Sequence, residues 1–232
     1  MKSGSPQQLE IAVGYAGSVS ALLFRPADAR ACFVFAHGAG AGMTDAAMEA
    51  AAHGLAERGV ATLRYQFPYM EKGSKRPDPP AVAHTAVRAA VAEAGRCCAG
   101  LRLIAGGRSF GGRMTSQAQA LSPLTGVDGL AFFGFPLHPV GKPSDDRARH
   151  LADIKIPMLF LQGTKDKLAE LVLLEPVVER LGRMATLHLV RGADHSFHVP
   201  ARSGRNDREV LREILDAFAG WIETIKAGKA AS

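Results

Sequence analysis

Cysteine is scarce in this chain, with three among 232 residues, and none of them belongs to a CxxC or Cys/His pattern. Cys97 and Cys98 are neighbours at the end of an Ala-rich stretch, while Cys32 lies in an apolar run. Disulfide scaffolds and structural zinc sites require paired or regularly spaced ligands. We therefore expect buried free thiols, with neither a disulfide framework nor a bound metal.

Long apolar segments are also missing. No run approaches the roughly 18 consecutive apolar residues that indicate a membrane span. The residues that follow Met1 contain no apolar run of signal-peptide length. From these absences we expect no membrane partner and a cytoplasmic location.

Nucleic-acid recognition motifs are absent as well. The formal net charge of +6 would favour association with anionic partners. However, basic residues do not alternate with aromatic ones in a stacking pattern, and no known recognition motif is present. We therefore expect no nucleic-acid partner.

What the chain does contain is a regular alternation of short apolar runs with longer amphipathic stretches. A hairpin is predicted over 9–25, followed by strands near 31–36, 60–65, 101–105, 129–133, 157–161 and 186–190. Helices are predicted after a cap at Thr44 or Asp45, over 78–98, after 109, and over 168–181 and 205–225. This alternation is typical of an α/β fold, with a mainly parallel sheet covered by helices on both faces. We expect a single domain over 1–232, frayed at 226–232.

Two segments that link predicted strands to the elements after them are also informative. The segment 66–77 has the composition of a polar loop, and a short helical stretch is expected after Asp145. Too few residues separate the strand ending at 133 from the one starting at 157 to form a large lid.

One pentapeptide points to nucleophilic chemistry. Gly107-Arg108-Ser109-Phe110-Gly111 follows a predicted strand and opens a predicted helix, which is the context in which a G-x-S-x-G pattern becomes informative. The glycines permit a sharp turn that projects the serine hydroxyl. We therefore predict that Ser109 is a nucleophile.

Partners for this serine follow in the order acid, then base. Asp166 lies just past the strand at 157–161, and His195 lies just past the next strand. In this arrangement the histidine removes the serine proton, and the carboxylate orients the imidazole. Asp194 is a competing acid, ranked lower because a sequence neighbour rarely points at the adjacent ring; a loop hydrogen bond is its alternative role.

A developing oxyanion needs two N–H donors. The residue after the nucleophile, Phe110, would supply one, and the glycine-rich loop 37–42 would supply the other from Ala39 or Gly40. A loop of this kind can also bind nucleotide phosphates. The spacing disfavours that reading, because Met43 stands where a dinucleotide fingerprint needs glycine and no Walker-type lysine follows.

These motifs together resemble those of the α/β-hydrolases, through the His-Gly-rich loop, Gly-Arg-Ser-Phe-Gly, Gly-Thr-Lys-Asp and Ala-Asp-His-Ser. More narrowly, Arg-Tyr-Gln-Phe-Pro-Tyr and Phe-Pro-Leu-His-Pro resemble a small capless branch near the dienelactone hydrolases. That branch includes a testis-expressed protein and a scaffold subunit of a histone acetyltransferase complex. The resemblance covers nearly the whole chain.

The resemblance implies a trimmed version of an eight-stranded sheet and an acyl-enzyme mechanism without cofactor. One residue departs from the pattern, because dienelactone hydrolases use a cysteine where this chain has Ser109. Dienelactone itself is therefore not the expected substrate.

Other residues are assigned to the surroundings of the nucleophile. Tyr69, Phe135, Leu137 and His138 are interpreted as substrate-binding residues. Packing is the alternative role for the first three, and a structural or solvent-facing role is the alternative for His138. Lys72, Lys75, Arg76 and Lys142 would form a basic rim that favours anionic esters, with a solvated charged loop as the alternative. Arg108 and Arg113 flank the nucleophile, and either is positioned to pair with a carboxylate beneath the turn.

The sequence thus predicts a cofactor-independent serine hydrolase for small carboxylic esters or thioesters. The alternative is a hydrolase-fold interaction module that retains the three residues without useful turnover. Peptide hydrolysis is disfavoured, because the chain has no sizeable cap or propeller domain to select peptides.

Overall fold

The structure, a computed structural model, describes residues 5–225. Over that range the chain forms an eight-stranded sheet in the order β1-β2-β4-β3-β5-β6-β7-β8. The predicted fraying of 226–232 concerns residues outside the described part. The strands are β1 (Gln7–Ala12), β2 (Ser18–Phe24), β3 (Ala31–Ala36), β4 (Val60–Tyr65), β5 (Arg102–Arg108), β6 (Val127–Phe133), β7 (Met158–Gly163) and β8 (Ala185–Val190).

Strand directions confirm the predicted α/β fold class. Strands β1 and β2 form the predicted antiparallel hairpin, and β2 also runs antiparallel to β4. The other neighbouring pairs are parallel. The expectation of a trimmed sheet was wrong, because the hairpin and all six later strands join one sheet.

Helices cover both faces of the sheet. Apolar residues of α1 and α6 pack on one face, and those of α3, α4 and α5 pack on the other. Both faces of the central strands are therefore buried, which explains why β3 is a continuous apolar run and why every residue of β4 is buried. The helices are α1 (Ala46–Ala56), α2 (Pro68–Glu71), α3 (Pro80–Cys97), α4 (Phe110–Leu121), α5 (Leu171–Leu181) and α6 (Asp207–Thr224).

Side-chain caps fix where two of these helices begin. Asp45, rather than Thr44, caps α1 by accepting a hydrogen bond from Ala47 N at 3.1 Å. Asn206 and Glu209 form a reciprocal capping box at the start of α6. Such caps satisfy backbone N–H groups that the first helical turn leaves without partners.

Three of the differences from the predicted elements have a clear physical reason. The segment 66–77 contains the short helix α2, which begins with proline and buries Tyr69. Strand β5 extends three residues beyond 105, because its glycines pair with β6 despite their weak strand propensity. Helix α5 begins at Leu171 rather than 168, since Leu168 N is held by the Asp166 carboxylate in the preceding turn.

The end of β5 lies unusually close to β3. A Cβ atom added to Gly107 would lie 2.4 Å from the Ala36 carbonyl oxygen. A Cβ on Gly111, in the first turn of α4, would lie 2.6 Å from the same oxygen and 2.6 Å from that of His37. Only glycine fits these positions, so the turn between β5 and α4 is packed directly against backbone.

None of the helices within residues 5–225 has the length and apolar character needed to cross a membrane.

The contact between Gly107 and Ala36 yields a stability prediction. Gly107→Ala should lower the free energy of unfolding by about 1–3 kcal/mol, because the clash is with backbone that cannot rotate away. Gly95→Ala is the matched control, since Gly95 is an exposed position in α3 with no atom near the added Cβ. That control should be stabilised by up to about 1 kcal/mol through helix propensity. Urea unfolding measures both, and equal stability of the two variants would contradict the packing described.

Candidate active site

Ser109 occupies a strained turn between β5 and α4. Its φ of 50° and ψ of −113° lie outside the regions that residues with a side chain ordinarily adopt. Such a conformation destabilises the chain by about 1–3 kcal/mol and persists only where the surroundings enforce it. The Ser109 N–H bonds to the Phe133 carbonyl at 3.2 Å, and the hydroxyl does not cap α4. The hydroxyl is therefore left available for other partners.

The structure brings Ser109, His195 and Asp166 together. His195 Nε2 lies 2.8 Å from Ser109 Oγ, and His195 Nδ1 lies 2.6 Å from Asp166 Oδ2. These residues come from three separate loops, each at the carboxyl end of a strand of the parallel sheet. The order and spacing match a nucleophile, a base and an orienting acid within hydrogen-bond reach.

The Asp166 side chain is fully buried, and its carboxylate accepts two further hydrogen bonds. Its Oδ1 accepts a hydrogen bond from Leu168 N at 2.7 Å, and Gln162 Nε2 donates to Oδ2. Gln162 is itself oriented, because its Oε1 accepts from Phe135 N at 2.9 Å. Sequence reasoning missed Gln162, although an amide at the end of an otherwise apolar buried strand is a detectable signal.

Asp194, the competing acid, binds its own loop. Its Oδ1 accepts hydrogen bonds from Ser196 N at 2.8 Å and from His198 N at 3.0 Å. The carboxylate that accepts a hydrogen bond from the His195 ring is that of Asp166. Asp194 therefore shapes the turn that carries His195.

His37 anchors the glycine-rich loop to the start of α2. The distance from His37 Nδ1 to the Gly38 carbonyl oxygen is 2.7 Å, and His37 Nε2 accepts a hydrogen bond from Phe67 N at 3.1 Å. Burial lowers the pKa of His37, so the ring is neutral at pH 7 and carries its proton on Nδ1. Both ring nitrogens are engaged, which makes His37 a structural brace.

The two candidate donors in this loop have different surroundings. Gly40 N–H donates to the Tyr69 phenol oxygen at 3.1 Å, so this donor is already occupied. Ala39 lines the same cavity as Ser109 and Phe110. Phe110 is the first residue of α4, where backbone N–H groups have no partner inside the helix. The arrangement favours Ala39 over Gly40 as the second donor beside Phe110.

A cavity of about 340 Å³ opens beside Ser109. It lies between the glycine-rich loop, the start of α4 and the loops that follow β4, β6 and β7. Its lining consists of Ala39, Pro77, Asp78, Pro80, Ser109, Phe110, Arg113, Met114, Pro136, Arg147 and Leu168. Both apolar and cationic groups therefore face a molecule that enters beside the serine.

The four predicted substrate-binding side chains lie elsewhere. Phe135 and Leu137 are fully buried and pack in the core, so the alternative role of packing holds for both. Phe135 stacks edge-on against two neighbouring phenylalanines of the sheet, Phe132 and Phe160. From the sequence, the apolar character of Phe135 and Leu137 could not show whether they line a pocket or pack in the core.

Tyr69 and His138 are also buried and do not line the cavity. The Tyr69 side chain supports the glycine-rich loop through its contact with Gly40. The His138 ring is buried and pairs with the Glu170 carboxylate through Nε2. Neither residue lines the space beside Ser109, so both are corrected to supporting positions.

The basic residues are also arranged differently from the rim that the sequence predicts. The rim residues Lys72, Lys75, Arg76 and Lys142 are exposed and do not line the cavity. Arg108 pairs with Asp45, the cap of α1, at 3.6 Å. Arg113 and Arg147 instead contribute the positive charge that faces the cavity.

Comparison with known proteins agrees with this fold. Residues 29–223 match a family model described as an alpha/beta hydrolase domain. A dienelactone hydrolase from Anabaena variabilis is 20% identical and has a TM-score of 0.76, with 96% of this chain and 99% of that chain covered.

Two further solved structures are similar in the same way. A serine hydrolase without a lid from Xanthomonas campestris is 19% identical with a TM-score of 0.72, covering 98% of this chain and 99% of that one. An esterase domain of a Rhodothermus marinus protein is 14% identical with a TM-score of 0.72, covering 96% and 99%. At these identities the likeness concerns the fold, and together with the family match it shows that the chain belongs to the alpha/beta hydrolase family.

Proposed function

We propose that the protein is a serine hydrolase that cleaves small carboxylic esters or thioesters through an acyl-enzyme intermediate. Membership of the alpha/beta hydrolase family supports hydrolysis in general. The observation that carries the finer assignment is the continuous hydrogen-bonded chain from Ser109 through His195 to Asp166. Its nucleophile stands on a strained turn, as catalytic serines of this geometry do.

In the acylation step, His195 Nε2 takes the proton of Ser109 Oγ while the oxygen attacks the substrate carbonyl carbon. The carbonyl oxygen becomes an oxyanion, and the tetrahedral intermediate then collapses with cleavage of the bond to the leaving group. The proton held on His195 passes to the departing alcohol or thiol. In the deacylation step, His195 takes a proton from a water molecule, whose oxygen attacks the acyl carbon. The proton then passes to Ser109 Oγ as the ester bond to the enzyme breaks, which releases the acid and restores the serine.

Asp166 acts on this step through His195. Its carboxylate accepts from Nδ1–H, which leaves Nε2 free to act as a base, and it stabilises the imidazolium that forms during attack. Gln162 and Leu168 N hold the carboxylate in place. Because Asp166 is fully buried, its charge acts with little screening by water.

The oxyanion is assigned to the N–H groups of Phe110 and Ala39. Both residues line the cavity with Ser109, and the start of α4 directs its unpaired N–H groups and the positive end of its dipole toward the nucleophile. Tyr69 supports this assignment indirectly, since it holds the loop that carries Ala39.

Covalent labelling tests the nucleophile. A fluorophosphonate probe should label the folded wild-type protein, and Ser109→Ala should abolish labelling because the attacking oxygen is lost. Ser196→Ala is the control, since Ser196 is an exposed serine beside His195 and its variant should label normally. In-gel fluorescence measures all three. An unlabelled but folded wild type would favour the interaction-module alternative and would refute the enzyme.

Substitution of the acid tests the orienting role. Asp166→Asn should lower kcat for p-nitrophenyl acetate by about 10⁴-fold, because the amide favours the wrong imidazole tautomer. Asp194→Asn is the matched control, since the retained Oδ1 can still accept both loop hydrogen bonds. That variant should keep kcat within a few-fold of the wild type. The opposite ranking of the two variants would assign the acid to Asp194.

A further inference from the structure

Two arginines face the cavity beside Ser109 without an acidic partner among the described ion pairs. Arg113 lies in the first turn of α4, and Arg147 lies in the short 3-10 helix Asp146–Asp153. The acidic residues that precede Arg147 are already engaged, because Asp145 pairs with Arg180 at 2.7 Å and Asp146 pairs with Arg149. Both cavity arginines are half-buried, so water compensates their charge only in part.

Their electrostatic surroundings are unfavourable. Burial, followed by the charge of Arg147, lowers the pKa of Arg113, and burial also lowers that of Arg147. Guanidinium groups nevertheless remain protonated in proteins, so two like charges stay close together. The nearby His150 does not add a third charge, since burial and the Arg113 guanidinium lower its pKa to about 4.

The hydrogen bonding of Arg113 is also incomplete. Its Nε is buried, yet no acceptor reaches it within residues 5–225. Leaving a buried donor unpaired costs about 1–3 kcal/mol. The guanidinium carbon lies 5.9 Å from the centre of the Phe110 ring, a contact that orients the group without satisfying its N–H donors.

The charge of the lining indicates the kind of ligand. Besides the arginines, the cavity is lined by one carboxylate, Asp78, whose Oδ2 accepts from Tyr69 N at 2.8 Å. Two guanidinium groups and one carboxylate give the lining a formal net charge of plus one. A monoanion would neutralise this charge, whereas a dianionic phosphate would leave an excess of negative charge beside Asp78.

We propose that Arg113 and Arg147 bind a carboxylate of the substrate, so that the esters hydrolysed at Ser109 carry a free carboxylate group. Guanidinium groups match carboxylate geometry and form charge-assisted hydrogen bonds with it. The proposal rests on the serine hydrolase assignment above and adds the substrate class. It places the selection of anions inside the cavity rather than on the exposed residues Lys72, Lys75, Arg76 and Lys142.

Paired substrates test this subsite. On the leaving-group side, kcat/KM is measured for para-acetoxybenzoate and the uncharged para-acetoxybenzamide. On the acyl side, mono-p-nitrophenyl adipate is compared with p-nitrophenyl hexanoate. The wild type should prefer the anion in at least one pair, by about tenfold or more at low ionic strength, and salt should weaken the preference.

Variants assign the preference to the cavity. Arg147→Gln should lower the ratio of anionic to neutral kcat/KM by about tenfold. Arg149→Gln is the matched control, because Arg149 lies in the same 3-10 helix but is exposed and already paired with Asp146. Its ratio should equal that of the wild type. The subsite is refuted by a wild-type ratio near one in both pairs, or by equal ratios in the two variants.

A binding measurement separates this proposal from the catalytic one. Benzoate should slow fluorophosphonate labelling of the wild type more than benzamide does, and Arg147→Gln should remove the difference. A wild type that labels at Ser109 but shows no protection by benzoate would refute only the carboxylate subsite. Stronger protection by phenyl phosphate than by benzoate would replace carboxylate with phosphate as the ligand. Failure to label at all would refute the serine hydrolase itself.

Discussion

The close approach of β5 to β3 is the constraint on which the proposed site depends. Gly107 and Gly111 bring the start of α4 against the carbonyl oxygens at the end of β3. That packing leaves Ser109 no room to relax from its positive φ, so the stability of the sheet supports a strained turn. The same approach brings the glycine-rich loop after β3 beside the free N–H groups of α4, where an oxyanion would form.

The site combines a rigid group of reactive residues with cavity walls that can vary between relatives. Ser109, His195 and Asp166 are joined by hydrogen bonds and held by buried backbone contacts, so the proposed acyl transfer requires no large rearrangement. The cavity walls come from loops and from the 3-10 helix that carries Arg147. Loops can differ between relatives of one fold while the chemical centre is kept. The substrate class is therefore expected to depend on Arg113 and Arg147, and the reaction type on Ser109.

Much of the fold and the residues near Ser109 could be predicted from local sequence. The bounds of β3 follow from a continuous apolar run, and the positions of Ser109, Asp166 and His195 follow from strand ends at one edge of a parallel sheet. The remaining features depend on packing between distant segments. Phe135 has the composition of a pocket residue but lies in the core, and Arg147 is a cavity residue only because its 3-10 helix packs against α4. No local pattern specifies either contact.

The proposed function depends on Ser109 Oγ as the atom that carries the acyl group. The most direct measurement is mass spectrometry of protein quenched during turnover of p-nitrophenyl acetate, followed by sequencing of the modified peptide. The account predicts one transient acetyl group, located on Ser109, that disappears when the substrate is exhausted. Steady ester turnover with no acetyl group on Ser109, or with acetylation only at another residue, would contradict it.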